Sequence, residues 1–325
     1  MRPERPRQRG VALLTVLLVA ALASVIAVNM LARHRLAVAE TRQVLRGTQA
    51  LDYALGAEAW VRTLLLRDFE EDAANPRVDG INDVWAQAGE VPFELEPGRL
   101  ELRVRDLDGL LNLNALDDAA SLDRFKRLLG ALGLDASLAD AVRDWVDEDQ
   151  EVQGTGAEDG RYLVEDPPYR TANGPFRSVT ELRLLPDVTP EVWARLAPHV
   201  AALPPEIRLV NVNTAPGPVL AALAPGLNAS QAAAYARPET PWALPGDLTG
   251  REAGFAPELG VMTTRSRFFE VLARAETGGR AVTLRSVIYR DPETGATHVL
   301  ARDLGKRFET WARVPESDDP VLEDA

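Results

Sequence analysis

The chain has 325 residues, no cysteine and a formal charge of −13, a length that allows two or three compact units. Without cysteine there can be no disulfide framework, thiolate chemistry or Cys-ligated zinc. Arg2, Arg5, Arg7, Arg9, Arg33 and Arg35 stand against Glu4 in the first 35 residues, so +5 is concentrated there and −18 falls on the rest, the wrong sign for long-range attraction to nucleic acid or to anionic lipid.

Val11 to Ala32 carries no charge, and at about 1.5 Å per residue it reaches roughly 33 Å, enough for the ~30 Å hydrocarbon core of a bilayer. The arginines before it place that end in the cytoplasm and the bulk of the chain across the membrane. A cleaved secretory signal is the competing reading, since Ala21-Leu22-Ala23 offers an Ala-x-Ala site and would leave Ser24 as the mature terminus. Against it, the apolar run continues well past Ala23 and begins sharply after Arg9-Gly10. The chain has 23 prolines, yet none lies between Arg7 and Asn75, the gap one continuous helix would leave because an interior proline costs about 3 kcal/mol. Val44, Leu51, Leu55 and Ala59 are expected on one face of its soluble half.

A short basic leader ending in Gly, followed by a long helix whose first half is apolar, resembles the type IV pilin-like proteins. The resemblance implies cleavage by a prepilin peptidase between Gly10 and Val11 and an N-methylated Val11. The chain departs from the usual pattern at Val11, where most members have Phe, and at Thr15, where most have Glu. That Glu is thought to neutralise the terminal ammonium of the subunit ahead; with no subunit ahead, its carboxylate would be unpaired in apolar surroundings. Thr15 suits the first subunit of a filament.

Beyond the stem, RLELRVRD from Arg99 to Asp106 alternates Leu100, Leu102 and Val104 with charges, which predicts a half-buried strand turning into a hairpin at Asp108-Gly109. A helical stretch with an internal repeat follows: LNLNA at 111–115 with GLDAS at 133–137, then VNVNTA at 210–215 with GLNAS at 226–230. Two related helical units are expected, joined at Pro204-Pro205, with Leu128, Leu129, Leu132, Leu138, Val142, Trp145 and Val146 as the core of the first. VNVNTA with the following PGL also resembles helix-hairpin-helix modules, which makes a membrane-tethered nucleic-acid-binding protein the alternative reading. Asn211 to Arg237 holds no Lys and only Arg237, leaving almost nothing to meet phosphate. Residues 267 to 303 give three alternating runs separated by Gly278-Gly279 and by Pro292 to Gly295, an antiparallel meander.

From Asp140 to Asp166 acids outnumber bases by ten to two. Asp147, Asp149, Glu151 and Glu158 stand at relative positions 1, 3, 5 and 12, the carboxylate spacing of a calcium loop, with Asp159 beside them. The glycine of an EF-hand is absent from position 6, which is Val152; Gly154 and Gly156 follow instead. So many like charges in one loop repel unless a cation joins them. His34, His199 and His298 are far apart in sequence, and no HExxH, GxSxG or P-loop occurs, so no enzyme motif is present.

DLDGLLNLNAL, the acidic loop, PPYRTANGPFRSVTELRLLPDVTPEVWARLAPHV and VNVNTA, in this order behind a leader that lacks the fifth-position Glu, resemble the minor pseudopilin K family of bacterial type II secretion. The resemblance spans nearly the whole chain. It implies an α+β pilin-like fold, a long N-terminal helix packed on an antiparallel sheet, with a large all-α insertion of two SAM-like or helix-hairpin-helix-like units. The expected divisions are a leader 1–10, a transmembrane and stem helix 11–70, a first head segment 71–111, helical units 112–202 and 203–265, and a sheet and tail 266–325. It also implies calcium in the head and a noncatalytic place at the pseudopilus tip. Implied partners are minor pseudopilins I and J, through them H and the major pseudopilin G, and also the prepilin peptidase and the inner-membrane secretion platform, but no nucleic acid. The implied location is the Gram-negative inner membrane, single-pass, with the head in the periplasm.

Overall fold

A computed structural model describes residues 9–71, 77–89, 93–96 and 98–305, with side chains from residue 12 onward. Most of the expected leader 1–10 and the tail from 306 lie outside the described residues. One helix, α1, runs unbroken over Arg9–Glu71, as the proline gap requires. Its apolar first half has no protein packed on it. A short helix α2 (Val84–Gln87) precedes strands β1 (Phe93–Leu95) and β2 (Gly98–Asp106).

The second half of α1 lies across a five-stranded antiparallel sheet of order β1-β2-β7-β8-β9, in which β7 is Phe268–Thr277, β8 Arg280–Arg290 and β9 Thr297–Asp303. The last three form the expected meander. β2 keeps its alternation, but the hairpin expected at Asp108-Gly109 is not formed: β2 pairs with β1 before it and with β7, and after Asp106 the chain leaves the sheet. The Asp108 carboxylate accepts from the backbone N–H of Arg267 (2.6 Å) and Phe268 (2.7 Å), which caps the start of β7 and directs the chain away. Gly109 lets the two repeats approach here, because a Cβ would stand 2.5 Å from Thr214 Oγ1 and 3.1 Å from the Thr214 carbonyl carbon.

The stem face that meets the sheet is only in part the expected one. Val44 is 68% exposed and Ala59 is exposed, while Leu51 and Leu55 are half-buried; Ala50, Ala54, Ala57, Val61, Leu64 and Leu65 are buried in the cluster that α1 forms with the sheet, which includes Ala273 and Ala275 of β7. The cluster combines small residues, Ala50, Ala54 and Ala57 of the helix with Ala273 and Ala275 of β7, and larger ones, Val61, Leu64 and Leu65 with Phe269 and Val271; the alanines let helix and strands approach closely. Glu58 is buried in the same face and is held by Arg302 (2.8 and 2.7 Å) and by the Ser286 hydroxyl.

Between β2 and β7 stands the helical region. It begins with β3 (Leu111–Asn112), α3 (Ala119–Ala131), α4 (Leu138–Val146), α5 (Asp159–Tyr162), α6 (Pro190–Leu196) and β4 (Val200–Ala201). It continues with β5 (Val210–Asn211), α7 (Gly217–Ala222), α8 (Ala229–Ala233), α9 (Pro245–Arg251) and β6 (Met262–Thr263). The sequence repeat has a structural counterpart. β3 pairs parallel with β4, and β5 pairs parallel with β6, so each repeat opens on a two-residue strand and closes on its return. In each copy the second asparagine grips a distant backbone through both ends of its amide. Asn114 accepts from Phe176 N–H (2.7 Å) and donates to Phe176 C=O (2.9 Å); Asn213 does the same to Trp242 at 2.8 and 3.1 Å.

Three apolar clusters result. One fills the helical region around Leu128, Leu129, Trp145 and Phe176, one lies between α1 and the sheet, and a third, with Leu107, Leu203, Ile207 and Phe268, joins them. A buried polar tie reinforces the joint: Arg290 of β8 reaches Asp68 near the end of α1 (3.1 Å) and also Asp79. Of the core residues expected for the first unit, Val146 is the one only half-buried.

Candidate functional site

α4 buries Leu138, Val142 and Trp145 on its inner side and ends at Asp147, where the backbone turns extended. The loop then doubles back over the helix it has just left. Gly156 permits this, since a Cβ there would stand 2.0 Å from Asp144 Oδ2. Gly154 takes a left-handed φ of 59° beside Asp140, a conformation that costs glycine nothing. Asp140 is satisfied by Lys126 (2.8 Å) and by the N–H and hydroxyl of Thr155 (3.2 and 3.1 Å). Asp144 accepts from Gln153 N–H at 3.2 Å. The loop ends at Glu158, which precedes α5 and is 5% exposed.

This path brings Asp147, Asp149 and Glu158 together, each with a carboxylate oxygen within 4.8 Å of the others. Asp147 Oδ1, Glu158 Oε1 and the adjacent Asp144 Oδ1 are buried with no hydrogen-bond partner. Burial, with Asp144, Asp147 and Asp149 nearby, pushes the Glu158 carboxyl up to about 7. Burial likewise lifts Asp144 to about 6 and raises Asp147, which also faces Asp149. Unpaired anionic oxygens at this separation are what a hard cation with several oxygen ligands at roughly 2.3–2.6 Å requires. The donor set therefore fits calcium: Asp147, Asp149 and Glu158 would hold it, and its positive charge would offset the crowding that raises Asp147 and Glu158.

Glu151 and Asp159 are not drawn into this group. Glu151 is exposed, and its backbone N–H donates to Asp149 Oδ1 (2.7 Å). Asp159 is taken up instead by Thr171, whose N–H and hydroxyl both donate to it at 3.0 Å, and by the Arg170 guanidinium. Asp144, buried on α4 with Oδ1 unpartnered beside the group, was not singled out from the sequence. Asn173, at a left-handed φ of 44°, also closes on the loop by donating to Asp149 C=O at 2.7 Å. A second acidic group, Asp68, Asp79 and Asp83, is met from within the protein by Arg290 and by the Gly80 and Trp85 N–H groups.

At the other end of the chain, Gly10 lies inside α1 and the side chain of Val11 is outside the described ones. Thr15 is exposed and donates its hydroxyl to Ala12 C=O, 2.9 Å away, one turn back. His199 is buried, bonded through Nδ1 to Arg195 C=O at 2.9 Å, and burial lowers it to about 4, so it stays neutral.

Residues 109–205 and 210–264 match two family models, both described as type II secretion system protein K. The chain is 37% identical to the type II secretion system protein K of Pseudomonas aeruginosa, over 93% of this chain and 94% of that one. It is 36% identical to the corresponding protein of Aeromonas hydrophila, over 89% and 95% respectively. In fold it is similar to a chain in the crystal structure of the GspK–GspI–GspJ complex of enterotoxigenic Escherichia coli, with a TM-score of 0.72 and 23% identity, covering 82% of this chain and all of that one. With relatives matched from end to end at this identity, the chain belongs to the type II secretion system protein K family.

Proposed function

We propose that this chain is a noncatalytic minor pseudopilin at the tip of the type II secretion pseudopilus, where it starts or caps assembly for export of folded proteins across the outer membrane. The observation that carries this reading is Thr15. Its hydroxyl is satisfied within its own helix, so the membrane half of α1 asks for no partner from a subunit ahead, whereas an acid there would need one. The bulky helical region supports the same reading, since it would obstruct a further subunit above the sheet. The complex that gave the similar fold contains GspI and GspJ, and the heads of pseudopilins I and J are accordingly the proposed partners, linking the chain to H and to the major pseudopilin G. The prepilin peptidase would cut between Gly10 and Val11, and the secretion platform of the inner membrane would receive the subunit with its head in the periplasm. Calcium would bind at Asp147, Asp149 and Glu158. Gold labelling of an epitope on this chain in sheared pseudopili tests the central statement: label at one end is expected, and label along the length refutes the tip position.

A further inference from the structure

On a head that is otherwise acidic, the end nearest the apolar half of α1 is basic. The turn between β7 and β8, Gly278-Gly279, is fastened to the stem there. Arg46 donates to Gly278 C=O at 3.1 Å, and the Gln43 amide oxygen, with the amide turned to suit its neighbours, accepts from the Arg280 guanidinium at 3.0 Å. A Cβ at Gly278 would collide with the Arg46 side chain, at 2.4 Å from its Nε. Between stem and turn lies an open cleft of about 360 Å³ walled by Arg42, Arg46 and Arg280 and floored by Ala39 and the two glycines. All three arginines are exposed. Arg33 and Arg35 lie just below; Glu40 and Glu276 are the acids nearby in sequence and leave the five arginines well in excess.

The location narrows the occupant. Arg42 is ten residues beyond Ala32, about 15 Å along the axis, and helical side chains lean back toward the N-terminus. Leu36 to Ala39 add an apolar turn beyond Arg33 and Arg35, and those two can snorkel, so the helix can seat low enough to bring the cleft to headgroup level. Guanidinium groups pair with phosphate through two parallel N–H bonds. We propose that the cleft formed by Arg42, Arg46 and Arg280 seats the phosphodiester headgroup of an anionic phospholipid, so that the subunit, before it is extracted, rests with its β7–β8 turn on the membrane. The inference rests on the reading of α1 as a membrane anchor.

The chain has no cysteine, so Ala281→Cys in the full-length protein gives one label site beside the turn. The labelled protein is placed in nanodiscs of phosphatidylcholine, with or without phosphatidylglycerol, that carry a headgroup-quencher lipid. Quenching should be stronger with phosphatidylglycerol and weaken with salt. Among the described residues Arg42 makes no hydrogen bond or ion pair, so Arg42→Gln removes charge without unfastening the turn. It should lower the membrane-seated population roughly fivefold, the share of one basic residue at an anionic surface. Arg46→Lys, which keeps the charge, should change it far less. Quenching that ignores lipid composition in an inserted chain overturns the proposal alone. Competition by inorganic phosphate beyond that of sodium chloride at equal ionic strength overturns it in favour of a free anion. Failure to enter the discs at all overturns the anchor reading and the proposal with it.

Discussion

Glu158 must either keep a proton or meet a cation, because it is buried among Asp144, Asp147 and Asp149. Its carboxyl sits near 7 in the folded chain against 4.5 when free, so the folded state binds more protons than the unfolded one between those values. The contribution of Glu158 to the stability of the metal-free protein is therefore fully present below about 4.5 and is lost as pH rises through about 7. Calcium should reverse this, raising the melting temperature more at pH 8 than at pH 5, with Asp147→Asn combined with Glu158→Gln abolishing the calcium effect. Thermal melts in calcium and in chelator at both pH values check it; an unchanged calcium increment in the double variant would place the ion elsewhere. Asn114 illustrates a different residue-scale demand. Its amide answers the N–H and the C=O of Phe176 and the C=O of Leu203 inside the core, so Asn114→Ala takes the partner from three buried groups and should cost about 3–5 kcal/mol in denaturant unfolding.

At the scale of elements, the stem meets the sheet in part through alanines, and its tolerance for added volume there is correspondingly small. Ala54 is fully buried there, and Ala54→Leu should destabilise the head by about 1–3 kcal/mol through overpacking, whereas the same change at exposed Ala59 should be nearly neutral. Comparison of their unfolding midpoints tests this. The strands were legible because alternation and Gly-containing turns fix them locally, as Leu100 to Val104 and Gly278-Gly279 show. The stem face was legible only in part: Leu51 and Leu55 are half-buried there, but Val44 and Ala59 are exposed, because the buried stripe runs through Ala50, Ala54, Ala57 and Val61, small residues that a pattern of large apolar side chains does not pick out. Of the acidic loop, the sequence spacing picked out Asp147, Asp149 and Glu158. It missed Asp144, which counts along a helix rather than along the loop, and it did not separate out Glu151 and Asp159, whose directions depend on where the backbone turns.

For the whole molecule, the family follows from the order of motifs along the entire chain, a signal that no single segment holds. The same order makes the N-terminal border a test of the life history of the protein. Gly10→Val should leave the leader attached while insertion proceeds, so that the membrane fraction holds a chain longer than the mature form by residues 1–10. N-terminal sequencing or intact mass settles it, and normal maturation of the variant would refute peptidase processing at this border.

The continuity of α1 carries a mechanical consequence. Sixty-three residues without a break make a rod of about 95 Å, since each residue adds roughly 1.5 Å, and no proline or loop between its ends can act as a hinge. A thrust delivered near Val11 therefore arrives at the head undiminished in stroke: what the membrane end climbs, the head climbs. The load passes from rod to sheet as shear across the alanine seam, and Glu58 with Arg302 and Arg290 with Asp68 stand across that seam like dowels, resisting slip in the direction of travel.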